Sequence, residues 1–410
     1  VAGILALCIL GVLAWQGNAW RHLQSGKQAL RLHHHPEALR HFQAALQAWP
    51  NHGPTCLLAA RAARLSEKFD IAEHYLEIAE AQPTQMDSAA LERVLLRACK
   101  GEVDGVGQYC DALIKAQHPE TPQVLEALAL GDLKLLRFGS AADALNRWLE
   151  LQPDDPQATF LLGRLHLQAA NNTEAVDYLR RAVELDPSRD DARLMLAGLL
   201  LDLGQAQEAL PHLEAVRLRQ PENSMVAARL GQALTLLDRP AEATPLLDGV
   251  LERNPDMTLA LLERAKLALR EGKLAQAEPW LARACERDRG DRAAHYQYLQ
   301  CLKQLGKMKE ARSVQERLDK IDVDLARVRK IVTTDLPESR FDPDLHAELG
   351  ELLLDVGAEQ DGIVWLQRAL QLDPRQPRAR RAFARYYEAL GQTKLAEQHR
   401  SMIVASASDQ

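Results

Sequence analysis

PQATFLLGRLHLQAANNTEAVDYLRRAVELDP, residues 156–187, holds the pattern that decides the fold. Phe160, Leu161, Leu162, Leu165 and Leu167 form a first apolar stretch at helical spacing. Ala169-Ala170-Asn171-Asn172 breaks it. Thr173 is placed to cap a second helix, with Glu174 and Asp177 in its first turn, where negative charge suits the helix dipole. Ala175, Val176, Leu179, Ala182 and Val183 follow at spacings of three and four and mark one buried face. Asp186-Pro187 ends the helix, because proline disfavours helical geometry in the residue before it. The stretch predicts two helices joined by a tight turn.

The same grammar recurs along the chain. Pro153, Pro187, Pro221 and Pro255 stand 34 residues apart, and Pro119 precedes them in phase. Ala175, Ala209, Ala243, Ala277 and Ala311 keep the spacing. Gly204, Gly272 and Gly306, and later Gly357 and Gly391, fall where first helices end, a place that favours the left-handed conformation glycine accepts. A period of 34 residues is that of a helix–turn–helix repeat. One such hairpin cannot bury its apolar face alone, whereas stacked neighbours bury it jointly. The length exceeds one ordinary globular core, a limit that a one-dimensional array escapes.

This pattern resembles the tetratricopeptide repeat family. The family signature of small, alanine, leucine or aromatic, alanine and proline is legible as Gly163, Ala175, Leu179, Ala182 and Pro187. It recurs as Gly350, Leu366, Ala369 and Pro374, with Gly362 in place of the expected alanine. The resemblance runs from Ala19 to Ile403. It implies an all-α chain, a right-handed α-solenoid of stacked helix–turn–helix repeats. It also implies that first helices line a concave groove holding an extended peptide or a partner helix. Repeat phase places Phe160, Arg164, Met225, Gln232, Leu262, Lys266, Arg270, Tyr296, Gln300, Lys303, Glu351 and Asp355 on that side. Apolar and cationic groups together suit peptide binding, where side-chain pockets and a carboxylate partner both contribute. The family's clamp for acidic chaperone tails needs an asparagine in the first helix. Arg164, Gly198, Gln232, Lys266 and Gln300 occupy the matching positions, which argues against that specialised role.

The beat falters in places, and the breaks set the expected organisation. Residues 19–120 read as degenerate repeats, with Gly101, Gly105 and Gly107 crowding one turn, and 121–325 as the regular array. A helix starting near Lys307 overruns its schedule. Val314, Leu318, Ile321, Leu325, Val328 and Val332 alternate four and three apart, the rhythm of a coiled coil. Two readings stand: an over-long helix packed on its own array, or a helix offered to a partner or a second copy. A connector at 326–342 precedes a C-terminal repeat pair at 343–410. There Arg375, Arg378, Arg380, Arg381 and Arg385 gather beside Tyr386 and Tyr387. Helical spacing puts Arg378, Arg381 and Arg385 on one face, within reach of an acidic segment or a phosphate. A polar capping face is the plainer reading.

Residues 1–18 are not a repeat. VAGILALCILGVLAW, residues 1–15, is an unbroken apolar run followed by Trp20, and aromatic residues at such spacing suit a membrane interface. The run is short for a span, and a cleaved signal is the rival reading. The expectation is a single N-terminal membrane anchor, as in bacterial membrane-anchored repeat proteins. The repeats are then extracytoplasmic, with a cytoplasmic placement as the alternative because Arg21, Lys27 and Arg31 follow the run. The six cysteines include no CxxC pair. Buried small side chains are the plain reading, and Cys99 with Cys110 is the best-placed disulfide pair.

No zincin, phosphate-loop, nucleophile-elbow or thiol–metal spacing occurs. His33-His34-His35 is a polar turn before Pro36 rather than a ligand set, so no metal and no cofactor are expected. A formal charge of −7 disfavours a general nucleic-acid binder. The array leaves no room for a catalytic domain. The expected function is a non-catalytic scaffold that binds a protein or peptide partner. The alternative is an accessory subunit of an envelope enzyme or secretion complex whose catalytic chain is separate.

Overall fold

The computed structural model describes the backbone of residues 2–408 and the side chains of residues 15–403. Among the described residues every regular element is helical and no strand occurs. The chain is an all-α solenoid of helical repeats and divides into two compact units, Val1–Ala192 and Arg193–Gln410. The first holds α1 (Ala2–Arg31) and α2 (His35–Leu46), α3 (Gly53–Leu65) and α4 (Phe69–Glu80), α5 (Met86–Cys99) and α6 (Val103–Lys115), α7 (Thr121–Lys134) and α8 (Phe138–Leu151), and α9 (Pro156–Gln168) and α10 (Asn172–Leu185). The division falls inside α11 (Asp190–Asp202). The second continues with α12 (Ala206–Arg219), α13 (Ser224–Leu236) and α14 (Pro240–Arg253), α15 (Thr258–Arg270) and α16 (Leu274–Arg287), and α17 (Arg292–Gln304) and α18 (Met308–Lys330). A π-helical turn at Ile331–Asp335 and the short α19 (Leu336–Glu338) lead to α20 (Pro343–Asp355), α21 (Glu359–Leu372), α22 (Pro377–Ala389) and α23 (Thr393–Ser408).

The α9–α10 hairpin shows why the repeat folds as it does. Asp155 accepts hydrogen bonds from the Gln157 and Ala158 amides at 2.8 and 2.9 Å, and Pro156 occupies the first turn, so both orphan donors and the missing proline donor are accommodated. A Cβ on Gly163 would stand 2.8 Å from Leu179 Cγ, which is how closely the two helices approach. Ala175, Leu179 and Ala182 are fully buried between them. The expected Thr173 cap is not formed: the cap position falls two residues earlier, at Asn171, and has no side-chain cap bond. Asp186 leaves the helix in extended conformation before Pro187, as the sequence requires.

The turn between paired helices is left-handed at one fixed position. Gly204, Gly272 and Gly306 have φ of +76°, +71° and +73°, and in phase with them Leu136, Ala170 and Asp238 have +54°, +59° and +56°. Side chains with a Cβ hold this conformation only at a cost. Replacing the exposed Ala170 by glycine is therefore expected to stabilise the chain by about 0.5–1 kcal/mol, read as a higher urea midpoint. A lower midpoint would mean that the turn carries no strain.

Three second helices carry a proline one period apart. Pro211, Pro245 and Pro279 lie inside α12, α14 and α16, all on the solvent side. Each removes one backbone donor from its helix.

The N-terminal expectation is corrected. The run at residues 1–15 is not separate from the repeats but continues into α1, and among the described residues no helix is long and apolar enough to cross a membrane. Beyond Trp15 the helix carries Arg21, His22, Gln24 and Lys27. Its Ala19, Leu23 and Ala29 are buried in the manner of a first helix. Gly26 lies against Phe42 of α2, where a Cβ would come within 2.6 Å of the ring. The side chains of residues 1–14 lie outside the described residues. The single-span anchor and the extracytoplasmic placement drawn from it fall together. The disulfide expectation is corrected as well. Cys56, Cys99, Cys110, Cys285 and Cys301 are free thiols in the core, and burial pushes Cys110 up to about 11 and Cys285 up to about 12.

The long helix packs on its own unit. Leu318, Ile321, Asp324 and Ile331 are buried, whereas Leu325 is more than a third exposed. Arg317 donates to the carbonyls of Arg289 and Asp355, each at its nearest 2.9 and 2.8 Å, and Lys320 reaches the Asp355 carboxylate at 2.7 Å. The buried stripe drifts from the heptad register, since an α-helix turns in 3.6 residues and not 3.5.

Candidate functional site

First helices present their inward positions differently in the two units. In the first unit that face is filled by the chain itself. Phe160 on α9 is only 5% exposed, because the Arg189 guanidinium lies 4.1 Å from its ring centroid. Arg189 is itself buried and held by both oxygens of Asp191, at 2.9 and 3.1 Å. Arg164 is partly covered, and desolvation draws its pKa below the usual arginine range. Phe160 is thus covered by its own chain, and Arg164 is only partly exposed.

Behind them runs a chain of buried polar groups. Arg64 on α3 is fully buried and donates from Nε to Glu92 of α5 at 2.5 Å. Arg61 donates to Glu92 at 3.1 Å and to Glu120 at 2.6 Å. Burial alone would raise the Glu92 pKa, but Arg64 and Arg61 outweigh it and hold the carboxyl below its ordinary value. On α7, burial wins: Glu126 is pushed up, although Arg64 and a 2.7 Å bond from Gln157 oppose the shift. The histidine turn faces the same region. Burial, assisted by Arg189, brings His33 down to about 4. Burial, with His33 and Arg189 adding, brings His35 down to about 3. Among the described residues no group of three His, Cys, Asp or Glu side chains is arranged to hold a metal ion.

In the second unit the corresponding face stays open. Met225 on α13 and Tyr296 on α17 are 46% and 51% exposed, and Leu236 at the end of α13 is 45% exposed. Arg270 is half exposed, donates to the Thr235 carbonyl at 2.6 Å and makes a long ion pair with the exposed Asp238 at 3.9 Å. Lys303 is exposed and has no ion-pair partner among the described residues. Gln300 is half-buried beside it on α17. Gln232 accepts a bond from Arg229 at 2.9 Å. Lys266 differs from Arg270 and Lys303: its ammonium neutralises Glu263, a buried carboxylate 2.7 Å away. Leu262 is buried. Glu351 and Asp355 on α20 are occupied by Arg378 and Arg385, and by Lys320.

The three arginines of α22 do not act as one face. Arg378 turns to Glu351 at 2.5 Å and to Glu348 at 3.9 Å, and Arg385 shares Glu351. Arg381 is exposed and has no ion-pair partner among the described residues. It borders a cleft of about 240 Å3 with Glu351, Ala384, Arg385, Arg400 and Ile403. Sequence reasoning missed Leu236 and Arg400. Leu236 was within reach of the repeat phase, one period before Arg270. Arg400 was not, since it arrives from the second helix of the last pair.

A family model described as anaphase-promoting complex, cyclosome, subunit 3 matches residues 134–216. Models described as tetratricopeptide repeat match residues 194–258, 234–295 and 268–333. No curated protein matches. Among solved structures the chain is similar to MamA 41-end from Desulfovibrio magneticus RS-1, at 18% identity over 40% of this chain and 93% of that one, with a TM-score of 0.37. It is also similar to a MamA designated MSR-1, at 21% identity over 41% and 96%, with a TM-score of 0.35.

Proposed function

We propose, for a chain that belongs to the tetratricopeptide repeat proteins, that its activity is binding and that it serves as a non-catalytic interaction scaffold. The face formed by α13, α15 and α17 receives an extended segment of a partner protein. One observation carries this reading: the first helices α13 and α17 expose large apolar side chains, Met225, Leu236 and Tyr296, on a face that also carries two exposed cations, Lys303, which has no ion-pair partner among the described residues, and Arg270, whose nearest carboxylate is the exposed Asp238 at 3.9 Å. The corresponding face of the first unit is packed with its own side chains. An apolar residue of the partner fits beside Tyr296, and a carboxylate two or three residues away meets Lys303 or Arg270. Binding is assigned to the part of the regular array from α13 to α17, residues 224–304.

Lys266 is a poor choice for testing this, since reversing its charge would strand Glu263. Tyr296 and Lys303 are exposed and serve better. With a partner isolated on the full-length chain, Tyr296→Ala with Lys303→Glu is expected to weaken binding at least about tenfold, since a charge-assisted contact contributes roughly 1.5–3 kcal/mol. Titration calorimetry reads the affinity, and circular dichroism confirms unchanged helicity. Leu218→Ser, on an 86% exposed residue of α12, is the control that should change nothing. Equal affinity in all three proteins would remove this face as the site.

A further inference from the structure

The last helical pair inverts the charge of the chain. Over residues 375–400 seven cations, Arg375, Arg378, Arg380, Arg381, Arg385, Lys394 and Arg400, face two carboxylates, Glu388 and Glu397, in a protein whose formal charge is −7. Several of these cations are satisfied locally. Arg378 is neutralised by Glu351 and Glu348. Arg380 donates to the Pro374 carbonyl at 2.8 Å and approaches His399 Nδ1 at 3.3 Å. Arg385 and Arg400 pair with Glu351 and Glu388 while still lining the cleft, and Arg381 adds a charge without an ion-pair partner among the described residues. Three guanidiniums from two helices therefore converge on one opening.

We infer that the cleft between α20, α22 and α23 is a second partner site, separate from the α13–α17 face, and that it takes an acidic side chain of a partner protein. This rests on the scaffold reading and adds the chemistry of one contact to it. Arg381 presents a free planar fork, the geometry that pairs with a carboxylate through two parallel bonds. Ala384 and Ile403 supply apolar wall for the methylene stem of a glutamate. Glu351 remains in the wall, where it would oppose a dianionic phosphate more than a singly charged carboxylate. The cleft's volume of about 240 Å3 suits one or two side chains rather than a cofactor.

The probe is fluorescein-labelled octaglutamate, titrated into the full-length protein at low ionic strength and followed by anisotropy. A chain of net charge −7 repels this probe overall, so saturable binding requires a local site. Arg381→Ala is expected to weaken it at least tenfold without lowering the melting temperature, and Arg400→Ala to weaken it several-fold. Arg312→Ala, an exposed cation of α18 remote from the cleft in sequence, is expected to leave it unchanged. Tyr296→Ala with Lys303→Glu removes the α13–α17 face as a competing carboxylate site, and on that background the loss caused by Arg381→Ala is expected to persist, which separates this site from the α13–α17 face. No binding, or equal losses in Arg312→Ala and Arg381→Ala, overturns the proposal. Displacement of the probe by inorganic phosphate at concentrations where free glutamate has no effect overturns it in favour of a phosphate ligand.

Discussion

Glu92→Ala is expected to cost the first unit about 3–5 kcal/mol, because it leaves Arg64 as a buried charge without its counter-ion. The size follows from burial. Both partners are shut off from water, so water cannot replace the lost carboxylate. Arg181→Ala, which breaks an exposed pair with Asp154 at 2.9 Å, should change stability by less than about 1 kcal/mol. Replacing both buried partners, Arg64→Met with Glu92→Leu, should recover most of the loss, since an apolar pair of similar volume removes the need for compensation. Urea melting read by tryptophan fluorescence and helicity separates the three cases. A small loss in Glu92→Ala would mean that Arg64 reaches solvent. Acid should act on the same unit in two stages. His33 and His35 have lowered pKa values, so the unfolded chain binds more protons and stability declines as pH falls below about 6.5 toward 4 and 3. Glu92 is also lowered, but as a carboxylate its contribution is complete above the unfolded value of about 4.3 and is lost only as pH falls through its folded pKa.

Gly290→Ala carries the second large effect. Gly290 lies in the loop between α16 and α17, and a Cβ there would stand 2.0 Å from the Val356 carbonyl oxygen and 2.7 Å from its carbon. The obstacle is backbone, which cannot rotate away as a side chain would. The two segments are already tied by Arg317, whose guanidinium bonds the carbonyls of Arg289 and Asp355 at once. Overpacking at such a contact costs about 1–3 kcal/mol, and the alanine should also loosen α20 from the loop. Gly107→Ala in α6, where nothing lies within 4 Å, should instead stabilise the helix by about 0.5–1 kcal/mol. Amide exchange along α20 distinguishes a local release from a uniform loss. Unchanged protection in Gly290→Ala would mean that the loop and the end of α20 are not in contact.

The architecture was legible because it is written in neighbours. Pro187 stops a helix through its own ring, and Gly163 admits Leu179 through its missing side chain, so the repeat could be read without knowing what lies elsewhere. The left-handed turn at Ala170 and Asp238 was invisible, because the fold imposes there a conformation the side chain does not favour. Openness was invisible too. Repeat phase gives Phe160 and Tyr296 the same inward position, and only Arg189, a residue of the next repeat, decides that the first is covered. Lys266 looked like Lys303 until Glu263 was found beneath it. The N-terminal run misled for the opposite reason: its composition resembled a span, while α1 continues past it into an ordinary first helix.

Pro211, Pro245 and Pro279 bear on how this array comes apart. Each leaves a carbonyl one turn back, on Gln207, Ala241 and Ala275, without the amide that would normally bond it. A helix weakened in this way gains little by forming alone and depends on the helix packed beside it. In a one-dimensional array, low intrinsic stability joined to strong interfaces lengthens the segment that melts as a single cooperative block. The hairpins containing α12, α14 and α16 therefore open together rather than fraying one by one, and the partner face on α13, α15 and α17 is kept or lost as a whole.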